Sequence, residues 1–593
     1  MDRRDLTCIM TILGLALGGP ACGASADEYG GDGGALTGVG EDSAGGGEGG
    51  TGDGGDDGQA PPPEMEDEGD FRVPRASGRF VYSASEMTDS VAVIDSVTLA
   101  IDVVGVGRGP TVVAPLGEDG QVAVLDQGSN DVALLRTSDD GQTTVEIMPG
   151  SPGANQLAVS PDAALVYVYH DVDGPEQLGP GSDQELTVID LAEGKAHAMT
   201  VGAHPRAVEF ASSGAVAYVV TDDGVNVVPT AELASIGKPD VVPVVDDPGI
   251  DPSTLEIHVA ADQGTALARI DGEHRLFATD LGSGERWEFP LPGPATDLDI
   301  VDDDGFAIVT MPSTSGSRFA ELALPVAEDD QPAVFDVSGE YVGLARLSPD
   351  GETLLLYTTV DPFMAAPLDP GDALAHPLDP AAGGGSSSGG SSGSDDGGAT
   401  DSGGDSGGDS EGDTEGDDTG AVPPGQDPRQ RLTIARRGAG DWAERITLFV
   451  DHPITAVGMA PDGANAMLLH GSAEGEIPWS YTLVDLTKPF PVKKLQVVEA
   501  EPASVLFTPQ GDRAVVLLRN DAAGVRRVDL VDLRSFIVDA LGLGSPPEGA
   551  GYVDATEKIF VSQEHPTGRI TFLDRDGNVE TVTGYRLNDA VKD

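Results

Sequence analysis

The sequence predicts an all-β fold, a single large β-propeller of about seven to ten four-stranded blades. Three observations lead to it: short β-rich strands, tight hairpin turns between them, and one pattern that recurs from Arg79 to Leu587. The pattern repeats at a spacing of roughly 42 to 53 residues, the range expected of propeller blades. Because a repeat domain can be much longer than an ordinary domain, the length of 593 residues does not indicate how many domains the chain has.

Each unit opens with a small or polar residue, a proline and a short apolar strand. Proline fits there because the first residue of a strand need not donate a ladder hydrogen bond. The five openings are Gly109-Pro110-Thr111, His204-Pro205-Arg206, Gly293-Pro294-Ala295, His452-Pro453-Ile454 and Glu501-Pro502-Ala503.

A tight turn follows each opening after about ten residues, as in antiparallel sheets of short strands. Proline presets the first turn dihedral and glycine supplies the positive one. A β-rich strand comes next, and the strand after it ends in an aspartate. The turns are Ser160-Pro161-Asp162, Ser348-Pro349-Asp350-Gly351, Ala460-Pro461-Asp462-Gly463 and Thr508-Pro509-Gln510-Gly511, and the aspartates are Asp95, Asp190, Asp485 and Asp532.

These units resemble the YVTN-type β-propeller repeat of bacterial surface and periplasmic proteins. The segment from Gln156 to Asp190 carries the resemblance most clearly, with Tyr167-Val168-Tyr169-His170 after its turn. The resemblance covers most of residues 79 to 587 and implies a WD40-like architecture. It implies no ligand, because the repeated residues hold blades together. Residues 225 to 340 depart furthest from the pattern.

Counting units gives about ten, of which the first lacks a leading strand. We therefore expect the last strand, near Thr581 to Tyr585, to complete the first blade. Fewer than four units follow the second acidic segment, too few to close a ring alone. That segment is then an insertion in one blade, leaving after Thr359 and returning at Arg431. A ring of seven or eight blades and a pair of propellers are the alternatives.

Residues 1–22 have the features of a signal peptide, with Arg3 and Arg4 before an apolar stretch too short to span a membrane. Cys22 follows Gly19-Pro20-Ala21 in what resembles a lipobox, although Gly19 and Pro20 replace the usual residues. The resemblance implies that Cys22 is acylated. The first residues also resemble a twin-arginine export signal. Because Cys8 is the only other cysteine, the exported body has no disulfide.

Two segments, 23–70 and 379–428, consist mainly of Gly, Ser, Asp and Glu without Lys or Arg, and we expect both to be disordered. The first is a tether, and the second is the insertion between propeller parts 71–378 and 429–593. Asp401, Asp405 and Asp409 recur within the second without hydrophobic flanks, which favours a solvated linker over a calcium loop. The formal charge of -68 makes nucleic acid an improbable partner.

No cofactor is expected. Haem attached through thioethers needs a Cys-x-x-Cys-His run, which the sequence lacks. A quinoprotein-like ring would repeat a tryptophan motif, whereas Trp287, Trp442 and Trp479 do not recur at one position of the repeat. Nucleophile elbows and phosphate-binding loops are also missing, so we predict no catalytic and no metal-binding residues.

Two pairs of histidines are candidates for a metal or acid–base site. His204 and His452 precede opening prolines and could face one funnel, while His170 and His470 follow the second strands of their units. The favoured interpretation is a polar loop residue for the first pair and a strand-end residue for the second.

Acidic clusters occur in the body at Asp297, Asp299 and Asp302–Asp304, and Asp574–Asn578 faintly resembles a calcium loop with Glu580 nearby. The second cluster lacks the downstream glutamate at EF-hand spacing. Both lie where the repeat needs a polar hairpin, so ordinary turns are favoured.

These observations predict a cell-envelope lipoprotein, anchored in the outer membrane through Cys22, that presents a propeller as a binding or scaffolding module. We expect a monomer, with an unidentified protein or envelope ligand as partner. The alternative is a hydrolase resembling propeller lactonases, acting in the periplasm or at the cell surface. Convergence of His204, His452 or the Asp297 cluster in one pocket would favour the enzyme, and dispersal would favour the scaffold.

Overall fold

The computed structural model describes residues 73–585 except 173, 175–180, 246–248, 302–304, 314–315, 328, 338–340, 360–429, 439–441, 443 and 472–477. Within this part of the chain, forty strands form ten four-stranded antiparallel sheets, each with its strands paired in chain order. Each sheet is one blade of a β-propeller, and the ten blades form a ring. The predicted fold class is therefore confirmed, with a blade number at the upper end of the expected range.

The first five blades follow one another along the chain. Their strands are β1 Arg75–Ser77, β2 Phe80–Ser85, β3 Ser90–Asp95, β4 Ile101–Gly105, β5 Pro110–Pro115, β6 Gln121–Asp126, β7 Asp131–Thr137, β8 Thr143–Pro149, β9 Gln156–Val159, β10 Leu165–Tyr169, β11 Glu185–Asp190, β12 Lys195–Thr200, β13 Ala207–Phe210, β14 Val216–Thr221, β15 Gly224–Pro229, β16 Val241–Val242, β17 Leu255–Ala260, β18 Thr265–Ile270, β19 Arg275–Asp280 and β20 Arg286–Pro290.

The remaining five blades repeat the same arrangement. Their strands are β21 Asp297–Val301, β22 Phe306–Met311, β23 Ser317–Ala323, β24 Ala333–Val337, β25 Leu344–Leu347, β26 Thr353–Tyr357, β27 Gln430–Arg436, β28 Glu444–Val450, β29 Ile454–Met459, β30 Asn465–His470, β31 Ser480–Asp485, β32 Val492–Val497, β33 Glu501–Phe507, β34 Arg513–Asn520, β35 Val525–Asp532, β36 Ile537–Gly542, β37 Pro547–Val553, β38 Lys558–Gln563, β39 Arg569–Leu573 and β40 Val579–Thr583.

Helical structure is sparse in the described part of the chain. A short α-helix, α1, spans Leu233–Ile236, and single 3₁₀ turns span Thr230–Glu232, Pro252–Thr254 and Asp554–Thr556. None of the described helices is both long and apolar enough to cross a membrane.

The hydrophobic core is divided among the contacts between neighbouring blades. Ten clusters of buried apolar side chains are found, and each joins two consecutive blades. One of them joins the last blade to the first, where Phe560 and Phe572 pack against Val81 and Ile94. Full burial of each such side chain contributes about 1.5–3 kcal/mol. Packing of apolar side chains therefore closes the ring.

The expectation that the last strand completes the first blade is wrong. β1 supplies the leading strand of blade 1, with Arg75 opposite Tyr82, and β40 pairs with β39 in blade 10. Pro74 precedes β1 as in other units, but β1 is only three residues long and contains no apolar run, which is why the sequence pattern did not reveal it. Polar contacts also cross the seam: Lys558 Nζ donates to the Ser96 carbonyl at 2.8 Å, and the Ser96 and Thr556 hydroxyls are 3.1 Å apart.

The insertion within one blade is confirmed. β26 and β27 are neighbours in blade 7, with Thr353 opposite Arg436 and Leu356 opposite Thr433. The chain after the second acidic segment therefore belongs to the same ring, and a pair of propellers is excluded. Residues 360–429, including the aspartates weighed as a calcium loop, lie outside the described residues.

Antiparallel pairing gives the ring two different faces. The "turn face" is the side of the ring with the hairpins that join strands 1 and 2 and strands 3 and 4 of each blade. The "loop face" is the opposite side, with the hairpins that join strands 2 and 3 and the connections from each blade to the next. The opening prolines lie on the loop face, and the strand register shifts just after Pro110, Pro502 and Pro547. In each case the residue after the proline is the unpaired one, and proline is tolerated beside such a bulge at the start of an edge strand.

The predicted turns lie on the turn face and have the expected geometry. Gly351, Gly463 and Gly511 have φ of 67°, 66° and 65°, and Ala163 takes the same position of its turn with φ of 51°. A side chain at Gly511 would collide with the carboxyl group of Asp462 in the neighbouring blade. Consecutive turns therefore stack against each other around this face.

Candidate functional site

A cavity of about 1100 Å³ lies on the loop face at the seam of the ring. Second-to-third-strand hairpins of blades 9, 10 and 1 contribute Arg519, His565 and Thr88, and the connections into blades 10 and 2 contribute Ser545 and Pro110. Residues from both ends of the sequence therefore form one wall. Met87, on the hairpin of blade 1, also borders the cavity and is 96% exposed.

One arginine of the cavity is neutralised by its neighbours. Arg519 Nη2 lies 2.7 Å from a carboxylate oxygen of Asp521 and 2.7 Å from one of Glu564. These ion pairs raise the pKa of Arg519, with Asp521 making the larger contribution. Arg519 and its two partners therefore form a local network that links the hairpins of blades 9 and 10.

Two further arginines converge on the connection between blades 9 and 10. Arg569 Nη1 donates to Ser545 Oγ at 2.7 Å, and Arg526 Nη1 makes a longer contact of 3.5 Å with the Gly544 carbonyl. Neither guanidinium has a carboxylate oxygen within 4 Å among the described residues. Arg526 is exposed and Arg569 is half-buried, so both groups reach solvent in the cavity.

The connection that these arginines contact is held rigidly. Ser545 is buried, and its amide donates to Gln563 Oε1 at 3.1 Å. Gln563, also buried, donates through Nε2 to Thr571 Oγ1 at 2.7 Å. Arg569 is fixed a second time, because its Nε donates to Thr583 Oγ1 at 3.2 Å. A buried hydrogen-bond chain therefore sets the position of one guanidinium.

The structure does not bring His204 and His452 together. They lie on the connections into blades 4 and 8 and have separate partners, and neither lines the cavity. His204 Nδ1 is 2.7 Å from Asp222, and His452 Nδ1 is bonded to Ser480 Oγ. His204 has φ of 50° and Gly109 has φ of 60°, so both occupy a left-handed position before the opening proline. The interpretation of the pair as polar loop residues is supported.

His170 and His470 occupy equivalent positions in blades 3 and 8, five blades apart. His470 is 1% exposed; its Nδ1 donates to the Pro453 carbonyl at 3.2 Å, and its Nε2 accepts from Thr482 Oγ1 at 2.8 Å. This arrangement satisfies a neutral imidazole. Burial lowers the pKa of His470 to about 4. Its ring packs edge-to-face on His452, with centroids 5.8 Å apart.

The acidic clusters act within the scaffold. Asp297 is buried and its Oδ2 accepts from the Ala345 amide at 2.7 Å, which ties blade 6 to blade 7. Asp574 Oδ1 accepts from the Asp576 and Asn578 amides at 2.9 and 2.8 Å, as expected of a turn. Asp302–Asp304 lie outside the described residues. Across the described ranges, no group of three or more His, Cys, Asp or Glu side chains is placed to hold a metal ion.

A buried aspartate beside the cavity was not singled out in the sequence. Asp126 ends β6, is fully buried, and accepts from the Gly107 amide through Oδ2 at 2.9 Å, while its Oδ1 has no hydrogen-bond partner among the described residues. Burial raises the pKa of Asp126 to about 7, and the charges of Asp131 and Asp89 act in the same direction. The loop face therefore contains a carboxyl group that is half-protonated near neutral pH.

Sequence reasoning also missed Arg526 and Arg569. Each lies one or two residues after a hairpin glycine, Gly524 or Gly568, near the start of the third strand of its blade. The two arginines do not occupy the same position of the repeat, because Arg569 corresponds to Arg527 in the strand register, so the repeat pattern gave no signal for them. The sequence did not reveal that both would face the same cavity.

No family model matches the chain, and no curated protein matches it either. Among solved structures, a eukaryotic initiation factor is similar with 11% identity and a TM-score of 0.43, covering 77% of this chain and 94% of that one. The dihydro-heme d1 dehydrogenase NirN in complex with DHE has 12% identity and a TM-score of 0.37, covering 78% and 73%.

Hydrazine synthase of Kuenenia stuttgartiensis has 11% identity and a TM-score of 0.28, covering 81% of this chain and 98% of that one. At these identities, similarity concerns the fold alone, and none of the three activities transfers to this chain. The ten sheets and their ten packing clusters define the chain as a β-propeller protein.

Proposed function

We propose that the chain is a lipid-anchored protein of the cell envelope whose propeller serves as a binding module through its loop face. The observation that carries the proposal is the cavity at the seam, which is large enough for a small organic ligand. Arg519, Arg526 and Arg569 in its lining are held in place by ion pairs or by hydrogen bonds to the scaffold. Such groups position a ligand and do not form a nucleophile with its base.

The anchor in this proposal is Cys22, and the resemblance of the body to YVTN-type repeats supports a place in the envelope. Val73, the first described residue, lines the cavity and packs against Gly549. The proposed tether therefore joins the propeller on the loop face, beside the cavity. The outer membrane is the proposed location, because the residue after Cys22 is Gly23 and not an aspartate, which favours sorting to the outer membrane.

The partner in this proposal is an envelope ligand or protein, and the chain acts as a monomer. The charge of -68 opposes binding to nucleic acid, since that binding depends on neutralising phosphates with a basic surface. A ring of ten blades offers a rigid frame for many loops, which suits binding without catalysis.

The alternative of a propeller hydrolase receives no support from the placement of its candidate residues. His204, Asp297 and His452 belong to blades 4, 6 and 8, and none of them lines the cavity. A general base must come within hydrogen-bond reach of the group that it activates. This dispersal favours the binding module.

Metabolic labelling with a fatty-acid analogue tests the anchor. The expected result is label on the wild-type chain, loss of label from Cys22→Ala, and full label on Cys8→Ala, the matched control at the only other cysteine. Fractionation should move Cys22→Ala out of the membrane fraction. Label that persists on Cys22→Ala would overturn the lipid anchor.

A further inference from the structure

We propose that the cavity at the seam binds a ligand through a carboxylate or phosphate group, held by the guanidinium groups of Arg526 and Arg569. The inference deepens the proposed binding function by naming the chemical class that the site accepts. An oxyanion suits a guanidinium because two parallel N–H groups can donate to two oxygens.

The first argument is the absence of a counter-charge. Arg519, in the same cavity, has two carboxylates at 2.7 Å, whereas Arg526 and Arg569 have no ion-pair partner among the described residues. Other described arginines, among them Arg346 and Arg445, also lack an ion-pair partner within the described ranges, so what distinguishes Arg526 and Arg569 is that both line one cavity. Both guanidinium groups lie against the connection between β36 and β37, where a ligand can neutralise their charge.

The second argument is the donors that remain. Arg569 uses Nε and Nη1 for Thr583 and Ser545, and Arg526 uses Nη1 for Gly544. Over the described ranges, Nη2 of neither arginine donates a hydrogen bond to the protein. Hydrogen bonds that involve a charged partner are roughly twice as strong as neutral ones. The free donors therefore offer the stronger kind of contact to an anion.

The third argument is pre-organisation. Arg569 is held by Ser545 and Thr583, and Ser545 is in turn held by the buried Gln563. A side chain that is already ordered loses little entropy when it binds. Arg526 is exposed and can adjust to the size of the bound group.

The volume of the cavity indicates what surrounds the anion. About 1100 Å³ is far more than a free phosphate or carboxylate fills, and it is slightly above the usual range for small-molecule sites. Prolines 110, 546 and 566 give the cavity apolar surface beside the arginines. An acidic or phosphorylated sugar matches this combination of one anionic end and a larger body.

The net negative charge of the whole chain does not prevent an anion from binding in the cavity. At physiological ionic strength, charges more than about 8 Å apart in solvent are largely screened. Groups in direct contact with the anion therefore dominate its binding. Four carboxylates of the described residues line the cavity: Asp521 and Glu564 pair with Arg519, and neither Glu86 nor Glu548 lies within ion-pair distance of Arg526 or Arg569.

Calorimetric titration of the mature full chain in detergent tests the site with D-glucuronate, glucose 6-phosphate and D-glucose. We expect one or both acidic sugars to bind and neutral glucose not to bind. Preference for glucuronate identifies a carboxylate, and preference for glucose 6-phosphate identifies a phosphate. We expect Arg526→Gln to weaken binding by about tenfold or more, the loss of one charge-assisted hydrogen bond.

The matched control is Arg534→Gln, an arginine on the turn face whose side chain is 77% exposed. It should leave binding unchanged. Because Arg569 also supports the scaffold, Arg569→Lys serves as the second variant, and it should keep the charge but lose part of the affinity. If wild type and Arg526→Gln unfold at the same temperature, the weaker binding of the variant is not caused by a loss of folded protein.

Three results would overturn the inference: no binding of either acidic sugar, equal binding of glucose, or the same weakening by Arg534→Gln. If any of these results is found while Cys22→Ala still loses the fatty-acid label, the anion site is rejected and the lipid anchor is not. If an acidic sugar binds but Cys22→Ala keeps the label, the lipid anchor is rejected and the anion site is not.

Discussion

Aspartates at the ends of strands behave differently on the two faces of the ring. On the turn face, Asp532 ends a third strand, and the hydroxyl and amide of Ser535 hold its pKa below the usual value. Asp280 is held in the same way by Ser283. On the loop face, Asp126 ends a second strand, and burial raises its pKa to about 7. One residue type is thus kept charged on one face and kept partly neutral on the other.

This difference shows that the residues of the sequence repeat and the residues of the candidate site lie on different faces of the ring. The turn face repeats the same hydrogen bonds from blade to blade: the backbone amide two residues after Asp95, Asp190 and Asp485 donates to each carboxylate at 2.8 to 2.9 Å. The loop face varies between blades and carries the cavity, the buried Asp126 and the buried His470. Conspicuous sequence motifs therefore describe the face that holds the ring together, and the candidate site lies on the other.

The largest effect that we predict concerns Asp126. Between about pH 4 and pH 7, the folded chain holds a proton that the unfolded chain has released, so the free energy of unfolding falls as the pH rises. The fall reaches about 4 kcal/mol. Asp126→Asn keeps an acceptor for Gly107 and cannot ionise, so it should be more stable than wild type at pH 8 and equal to it at pH 4.

Denaturant unfolding at pH 4, 5.5, 7 and 8 measures this difference, and pH 4 serves as the internal control. Identical pH slopes in the two proteins would show that Asp126 is ionised at little cost, and the contrast between the faces would then fail.

His470 should give a slope of opposite sign. Because burial lowers its pKa to about 4, the unfolded chain binds a proton between pH 6.5 and pH 4 that the folded chain does not bind. The free energy of unfolding should fall by about 3 kcal/mol as the pH drops through this window. His470→Gln should remove that loss, since blade 10 has Gln563 at the corresponding position, bonded to Thr571.

Proton NMR of the imidazole checks the same point directly. The His470 resonance should begin to titrate only near pH 4, and titration near pH 6.5 would contradict the expectation. In wild type the slopes from His470 and Asp126 partly cancel, so each is visible only against its own variant.

The smallest effect belongs to the turn face and should not depend on pH. Gly511→Ala places a side chain against Asp462 at a φ of 65°, while Gly577→Ala meets nothing within 4 Å at a φ of 83°. We expect Gly577→Ala to cost about 1 kcal/mol for the left-handed conformation, and Gly511→Ala about 1 kcal/mol more. Adding Asp462→Ala should recover the excess in a double-mutant cycle.

Equal costs for the two glycine variants would mean that consecutive turns do not press on each other. If the cost depends on pH, a group on the turn face changes its ionisation together with the packing of the turns. The two faces would then not differ in the way their aspartates ionise.

Much of the fold followed from the sequence because a blade is a local object. Alternating apolar residues, turn glycines and opening prolines lie within about fifty residues of one another, and each acts on its own neighbours. The insertion was placed correctly because β-rich segments flank it. The first strand was missed because Arg75–Ser77 is too short to show a pattern.

The candidate site depends on ring closure, and ring closure is decided by tertiary packing. Thr88 and Arg569 are almost five hundred residues apart in the chain, yet both line the cavity, because Phe560 and Phe572 pack against blade 1. A repeat does not say which of its units meet. The sequence by itself thus determined the blades and their turns, and the closed ring decided which polar side chains share a cavity.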